Sequence, residues 1–506
     1  MRFPENPVLT KELRTRMRGT RAYWILFAYV GLPSLIVFLT YATYTAFQSG
    51  NGQNAFQLGK VFYSTVFTIQ ALLVGIITPA LTAGGVSLEK EQRTYDLLSL
   101  SLLPRRGIIL GKLLSATLFV ALLLTASLPL ASLCFLLGGI APSQVITAYV
   151  LLLSCAFLYG AVGIAASSVA KSTTNATSLA YTVILILFFC TLPLAIAGIT
   201  GPFGGNGVGL TALNPIGAVS SGINSEVYFG LSLSPWLPAL LVNGMLGVVL
   251  TVAAIHRLEY PRSDRTPLLR TLCAAFTLLL AFFLYGFTAP QAAGVSGNSL
   301  MAVSILTLLA TTLIAAIFAT GDGLPTSGGL IRLIFDPRRL RTGDAASGLL
   351  YGVLLVLICG AVLYIGTTNS SRPASLRLVL LSLSLLWLLG TLGIWFSAAA
   401  RSRWAALTAT LAAAVVVSVG PMCTQITVGN SPRRPTVLDN LLYLSPFPAA
   451  SELSGSGSKS LRTPALLFQA PFRMVTPALY GLLGIGFLGL AERARRASRT
   501  VVPPAS

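Results

Sequence analysis

Long apolar runs without a charged side chain recur along this 506-residue chain, and they leave few folds open to it. An apolar run of about 20 residues is long enough to cross a bilayer as an α-helix. The sequence therefore predicts an all-α polytopic membrane protein with about twelve transmembrane helices. The predicted spans are 22–44, 62–84, 113–138, 147–170, 177–199, 235–255, 271–289, 300–319, 348–366, 378–398, 405–421 and 474–491.

The composition favours a membrane protein over a soluble one. Only 9% of the residues are charged, whereas soluble domains carry about 25%. The net charge of +20 is compatible with nucleic-acid binding, but Lys and Arg occupy short segments between uncharged runs. A basic face with interleaved aromatic residues is missing, so no nucleic-acid partner is expected. The six cysteines and the single histidine lack metal-ligand spacing, so no metal site is expected.

The distribution of basic residues predicts the orientation. If the N-terminus lies inside, the inside segments hold 26 of the 34 Lys and Arg residues. Cytoplasmic loops carry such an excess of positive charge. The sequence therefore predicts a multi-pass protein of a bacterial plasma or inner membrane, with both termini in the cytoplasm. No charged side chain lies in the centre of a predicted helix.

Three landmarks recur at a nearly constant offset and indicate an internal duplication. Thr94 and Pro104-Arg105-Arg106 match Ser327 and Pro337-Arg338-Arg339, and the two prolines are 233 residues apart. Lys171 matches Arg401 at an offset of 230, and Pro215 matches Pro446 at 231. We therefore expect a first six-helix repeat over 22–258 and a divergent second repeat over 259–506. The alternative is chance similarity, because apolar sequence interrupted by basic loops tends to look alike.

The segment 1–21 predicts an amphipathic helix at the cytoplasmic surface. Leu9, Leu13 and Met17 are spaced i, i+4, i+8 and form one apolar stripe. Lys11, Arg14, Arg16 and Arg18 lie off that stripe and would face lipid phosphates. The alternative is a basic segment that only fixes the orientation of the first helix.

Two segments resemble the membrane subunit of ATP-binding cassette (ABC) exporters of the second type. One is "NPVLTKELRTRMRG" before the first span, and the other is "SLEKEQRTYDLLSLSLLPRRGIILGKLLSA" after the second. The family pattern has an acidic patch, a Gly before a Thr, a leucine run, a Pro, a basic pair and Leu-Gly-Lys-Leu. This chain departs from it at Arg93, where the Gly would stand. The resemblance covers about residues 6–255.

The resemblance implies the fold of a type 2 ABC permease that is driven by a separate cytoplasmic ATPase. The chain has no G-x-x-x-x-G-K-[ST] segment to hold ATP phosphates, so we expect no enzyme activity and no cofactor in it. ATP and Mg would be bound by the partner subunit. By resemblance, the ATPase-coupling residues are Glu89, Glu91, Arg93, Thr94, Leu97, Leu98, Pro104, Arg105 and Arg106, and the interface-helix residues are Leu9, Lys11, Leu13, Arg14, Met17 and Arg18. The counterparts in the second repeat are Pro337, Arg338 and Arg339.

Other assemblies and other functions stay open at this point. The expected partners are the ABC ATPase and the lipid bilayer, with a homodimer or a second permease chain as further alternatives. A twelve-helix secondary carrier would need ionisable groups at mid-membrane, which the predicted spans lack. A membrane-embedded enzyme would need a catalytic cluster at membrane depth. A non-transporting scaffold is the remaining alternative.

Overall fold

The structure is a computed structural model, and its described part is almost entirely α-helical. A small antiparallel hairpin, β1 (Glu226–Tyr228) and β2 (Leu231–Leu233), is also present. The described residues are 7–47, 55–94, 104–136, 140–200, 226–228, 231–233, 236–259, 265–288, 345–366, 372–399 and 475–501, with single positions at 334, 406, 409, 410, 412, 413 and 417. The helices are α1 Pro7–Met17, α2 Thr20–Phe47, α3 Ala55–Thr82, α4 Gly84–Glu91, α5 Arg105–Ala126, α6 Leu128–Leu136, α7 Pro142–Val169, α8 Thr173–Thr200, α9 Trp236–Glu259, α10 Thr266–Thr288, α11 Ala345–Gly366, α12 Arg372–Ala399 and α13 Val475–Val501.

Within the described residues, seven segments are long and apolar enough to cross a membrane, judged by length and composition. They are Ala22–Thr43, Leu58–Glu91, Arg105–Ala126, Pro142–Val169, Trp236–Glu259, Thr266–Phe283 and Leu376–Ala399. These helices indicate a multi-pass helical membrane protein, as the sequence predicted. The predicted span 300–319 lies outside the described residues, as does most of 405–421. The total of twelve helices therefore stays a prediction.

The predicted span 113–138 differs from the structure, which has two helices, α5 and α6, in this region. The chain leaves α5 at Ser127, whose hydroxyl donates a hydrogen bond to the carbonyl of Leu124 at 2.7 Å. Pro129 follows in the first turn of α6 and has no N–H for the carbonyl of Thr125. The break therefore has a local cause in the sequence, which an average of hydropathy does not detect.

The chain divides into two compact units, Met1–Arg265 and Thr266–Ser506. The division falls a few residues after 258, where we predicted the end of the first repeat. In the first unit α7 is the central helix, and α3, α4, α5, α8 and α9 all pack against it. Small residues permit this close packing. A Cβ atom placed on Gly163 of α7 would lie 2.0 Å from Oγ1 of Thr82.

The second unit, where it is described, is organised around α12, which packs against α11 and α13. Its core consists mainly of buried leucines of α12 together with Tyr480 of α13. The helix α10 packs against α11, and the buried guanidinium of Arg270 donates to Oγ of Ser347 at 3.2 Å. The hydroxyl of Tyr351 donates to the backbone carbonyl of Arg270 at 2.8 Å. Polar contacts thus join these two apolar helices at one end.

Candidate functional site

The N-terminal helix α1 packs along the first turns of α5. Val8, Leu9, Glu12, Leu13 and Arg16 are partly buried on the face toward the protein. Two residues of the predicted apolar stripe, Leu9 and Leu13, lie on this packed face. The third, Met17, is 49% exposed. Arg16, which was placed off the stripe, turns inward. The other predicted interface residues, Lys11, Arg14 and Arg18, are exposed.

A buried charge cluster joins α1, α4 and α5. Nζ of Lys112 lies 3.0 Å from Oε1 of Glu12 and 2.8 Å from Oε1 of Glu89. The Lys112 side chain is only 7% exposed, whereas the two carboxylates are about a quarter exposed. A buried cation of this kind is tolerated only with charged partners and hydrogen bonds. Lys112 therefore holds three helices at one point.

Arg16 extends the cluster to the end of α3. Its Nη2 donates to the carbonyl of Leu81 at 2.9 Å, and its Nε lies 3.7 Å from Oε2 of Glu12. Burial lowers the pKa of Arg16, and the charge of Glu12 partly offsets this effect. Leu81 lies in the last turn of α3, where carbonyls have no partner within the helix, so Arg16 supplies a donor there.

The hydroxyl of Ser167 binds the backbone at the start of α4. Its oxygen accepts hydrogen bonds from the backbone N–H groups of Val86 at 2.8 Å and Ser87 at 2.9 Å. The Ser87 hydroxyl donates to the carbonyl of Ala83 at 2.9 Å. These bonds satisfy buried backbone groups near the junction of α3 and α4. One side chain of α7 thus attaches the start of α4 to α7.

Two adjacent side chains of α4 bind the ends of two other helices. Nζ of Lys90 donates to the carbonyl of Ser168 at 2.7 Å, at the C-terminus of α7. Glu91 accepts from the backbone N–H of Thr173 at 3.1 Å and from its hydroxyl at 2.8 Å, at the N-terminus of α8. Cations favour helix C-termini and anions favour N-termini. The pair Lys90 and Glu91 therefore fixes α4 to the junction of α7 and α8.

The chain leaves α4 through a residue in a left-handed conformation. Arg93 has φ +56°, a region that favours glycine. Thr94 donates its backbone N–H to the carbonyl of Glu89 at 2.9 Å, as in a helix C-terminus closed by a left-handed residue. The family pattern has glycine at this position, and a glycine here would adopt the same conformation without strain.

We expect Arg93→Gly to raise the free energy of unfolding by about 1 kcal/mol, because it removes the strain of a side chain at positive φ. Arg93→Val should lower it by at least a similar amount, since a β-branched residue tolerates this conformation poorly. Thermal unfolding of the purified protein in detergent measures both changes. Equal midpoints for the two variants would contradict the conformation assigned to Arg93.

The predicted coupling segment, between α4 and α5, ends at Pro104, which directly precedes α5. Arg105 is partly buried and donates to the backbone carbonyl of Leu258, near the C-terminus of α9. Arg106 is exposed. Leu97 and Leu98 lie outside the described residues, as do Pro337, Arg338 and Arg339 of the second repeat. Both described ends of the predicted coupling segment are therefore attached to the same end of the first unit.

Glu12, Lys90 and Ser167 are functional residues that were not predicted from the sequence, and Lys112 was predicted only as part of the Leu-Gly-Lys-Leu motif. A signal for the charge cluster was present: Glu12 is the one acid between the basic residues of the N-terminal helix. Its pairing with a lysine 100 residues later has no counterpart in local spacing. Within the described residues, no group of three or more His, Cys, Asp or Glu could hold a metal ion.

Comparisons with known proteins do not assign the chain to a family. The scan against protein-family models gives no match, and the search of curated proteins gives none either. The resemblance to ABC exporter permeases therefore rests on the two sequence segments quoted above.

Proposed function

We propose that this chain is the transmembrane permease subunit of an ATP-driven ABC transporter, an exporter that works with a separate cytoplasmic ATPase. The observation that carries the proposal is the anchoring of the segment between α4 and α5. This segment has the residues that resemble the family's coupling element. Its two ends are bound to the apolar helices α7, α8 and α9.

The anchoring gives the segment a route to the apolar helices. A force on residues 95–103 would reach α7 through Lys90, α8 through Glu91 and α9 through Arg105. Glu89 and Lys112 add a connection to α5 and to α1. Coupling of this kind requires elements that move as rigid bodies. In the proposed transporter, ATP and Mg bind to the partner subunit. This chain forms the transport pathway and transmits the conformational change of the ATPase to it.

The same proposal includes the finer architecture. The chain would have twelve helices in two parallel six-helix repeats, with both termini in the cytoplasm of a bacterial cell. One chain would supply both halves of the permease, or two chains would pair. The ATPase would then meet Glu89–Arg106 in one half and the acid-poor segment 324–339 in the other. The excess of basic residues on one set of loops supports this orientation.

Co-purification in mild detergent with a candidate ABC ATPase tests the proposal. The sharpest variant is Arg106→Glu, because Arg106 is exposed and its change leaves the described contacts of α4 in place. We expect a loss of at least about tenfold in affinity, as for a residue at the centre of an interface. ATPase rates measured with and without this chain give a second readout.

The controls separate docking from stability. Lys60→Glu reverses the charge of an exposed residue at the opposite end of the second span, and it should leave the affinity unchanged. Glu91→Ala and Arg106→Ala should both weaken association. Because Glu91→Ala also removes the acceptor for the backbone N–H of Thr173 at the start of α8, Glu91→Gln is measured beside it as the variant that keeps an acceptor. Absence of association with any ABC ATPase would reject the permease and favour a secondary carrier or a scaffold.

A further inference from the structure

The exposed side of α1 has three cations in one row. Lys11, Arg14 and Arg18 follow each other at i, i+3 and i+7, which places them on one face of a helix. The backbone N–H of Arg18 donates to the carbonyl of Arg14 at 3.1 Å, so the helical turn continues to Arg18. All three side chains are exposed. We call this row the basic face.

The basic face is directed away from the protein. At 100° per residue, it lies nearly opposite the partly buried residues Leu9, Glu12 and Arg16. Glu12 is the only acid of α1, and it is turned inward to Lys112. No carboxylate of this helix therefore competes for the basic face. Its charge is available for an anionic partner that approaches from outside.

An open cavity of about 480 Å³ lies beside two of these cations. It is lined by Pro7, Thr10, Lys11, Arg14 and Thr15. The hydroxyl of Thr15 donates to the carbonyl of Lys11 at 2.9 Å, so its proton is already used. The donors that this lining offers to the phosphate oxygens of a headgroup are the two positive side chains, Lys11 and Arg14.

Large side chains at the end of α1 and the start of α2 are exposed as well. Met17 is 49% exposed, Tyr23 is 72% exposed and Trp24 is 71% exposed. Exposed Tyr and Trp rings are typical of the membrane interface, where headgroups meet acyl chains. A partner that fits both parts has an anionic group next to apolar chains.

We propose that the basic face of α1 binds anionic phospholipid, with Lys11, Arg14 and Arg18 on the headgroup phosphates and with Met17, Tyr23 and Trp24 against the acyl chains. The ligand class is a negatively charged glycerophospholipid of the leaflet in which α1 lies. The assignment goes beyond the proposed transport function, and it needs no ATPase.

The test compares the full-length protein with the variant Lys11→Gln/Arg14→Gln/Arg18→Gln in neutral detergent. Native mass spectrometry then measures the binding of phosphatidylglycerol and, separately, of phosphatidylcholine. Each cation near an anionic surface contributes about 1 kcal/mol, or roughly fivefold in affinity. We therefore expect the triple variant to lose at least about tenfold in affinity for phosphatidylglycerol, with no change for phosphatidylcholine.

A matched variant, Lys60→Gln/Lys171→Gln/Arg493→Gln, removes the same charge at exposed positions elsewhere. It should keep the affinity for phosphatidylglycerol. An equal loss in both variants would overturn the assignment, since it would show a general effect of net charge. Displacement of phosphatidylglycerol by millimolar inorganic phosphate alone would also overturn it, because it would show a phosphate site that does not use the acyl chains. Unchanged melting temperatures of both variants in neutral detergent establish that they are folded.

Discussion

Lys112→Met is expected to lower the free energy of unfolding by about 3 kcal/mol, the usual cost of removing one partner from a buried ion pair. Methionine keeps much of the length and apolar stem of lysine. It leaves Glu12 and Glu89 facing each other without the cation that lies 3.0 Å and 2.8 Å from them. Thermal unfolding of the purified protein in detergent measures the loss.

A second variant tests whether the unpaired carboxylate causes the loss of stability. Glu89→Gln/Lys112→Met removes one charge of each sign and keeps Glu12 beside Arg16, and we expect it to recover most of the stability, since apolar or neutral replacements of buried ion pairs are often tolerated. Lys171→Met removes an exposed cation and should change stability by less than about 0.5 kcal/mol. If Lys112→Met behaved like Lys171→Met, the cluster would not stabilise the fold.

Gly163→Ala should destabilise the first unit by about 2–3 kcal/mol through overpacking. The added Cβ would lie 2.0 Å from Oγ1 of Thr82, 3.0 Å from its Cβ and 3.2 Å from the backbone nitrogen of Ala83. Thr82 cannot easily move, because it is fully buried and its hydroxyl donates to the carbonyl of Thr78 at 3.1 Å. The separation of α3 and α7 must therefore increase.

A graded set of glycines checks this reasoning with one measurement, the midpoint of thermal unfolding. Gly244→Ala meets nothing within 4 Å and should be neutral or slightly stabilising. Gly160→Ala meets a terminal methyl of Leu113 at 2.9 Å and no atom closer, so its cost should fall between the other two. Thr82→Ala/Gly163→Ala should recover part of the loss. A cost for Gly244→Ala equal to that for Gly163→Ala would contradict the close contact of α3 and α7.

The apolar runs predicted the helical class of the fold well, because burial of about 20 apolar residues leaves the backbone no alternative to a helix in a bilayer. They predicted helix ends less well. The helix α5 begins at Arg105 rather than near 113, because its first turns contain Arg105, Arg106 and Lys112, which hydropathy excludes. The break at Ser127 depends on a proline and a hydroxyl group, whose effects are local.

The sequence indicated some residues of the candidate site but none of their contacts. The coupling motif included Glu89, Glu91 and Arg105, and each of them is bound to a different element. Those partners are separated from them by 23 to 153 residues along the chain, so no periodicity connects them. The apolar stripe did not predict that Arg16 would turn inward, because hydrophobicity alone does not show that a charged residue has a partner across an interface.

The position of Lys112 in the chain matters for biosynthesis. Glu12 and Glu89 both precede Lys112, and chains emerge from the ribosome N-terminus first. Both carboxylates are therefore made before their shared cation exists. Lys112 can join α1 to α4 only after the start of α5 has been made. A chain that ends before residue 112 contains both carboxylates without this shared partner.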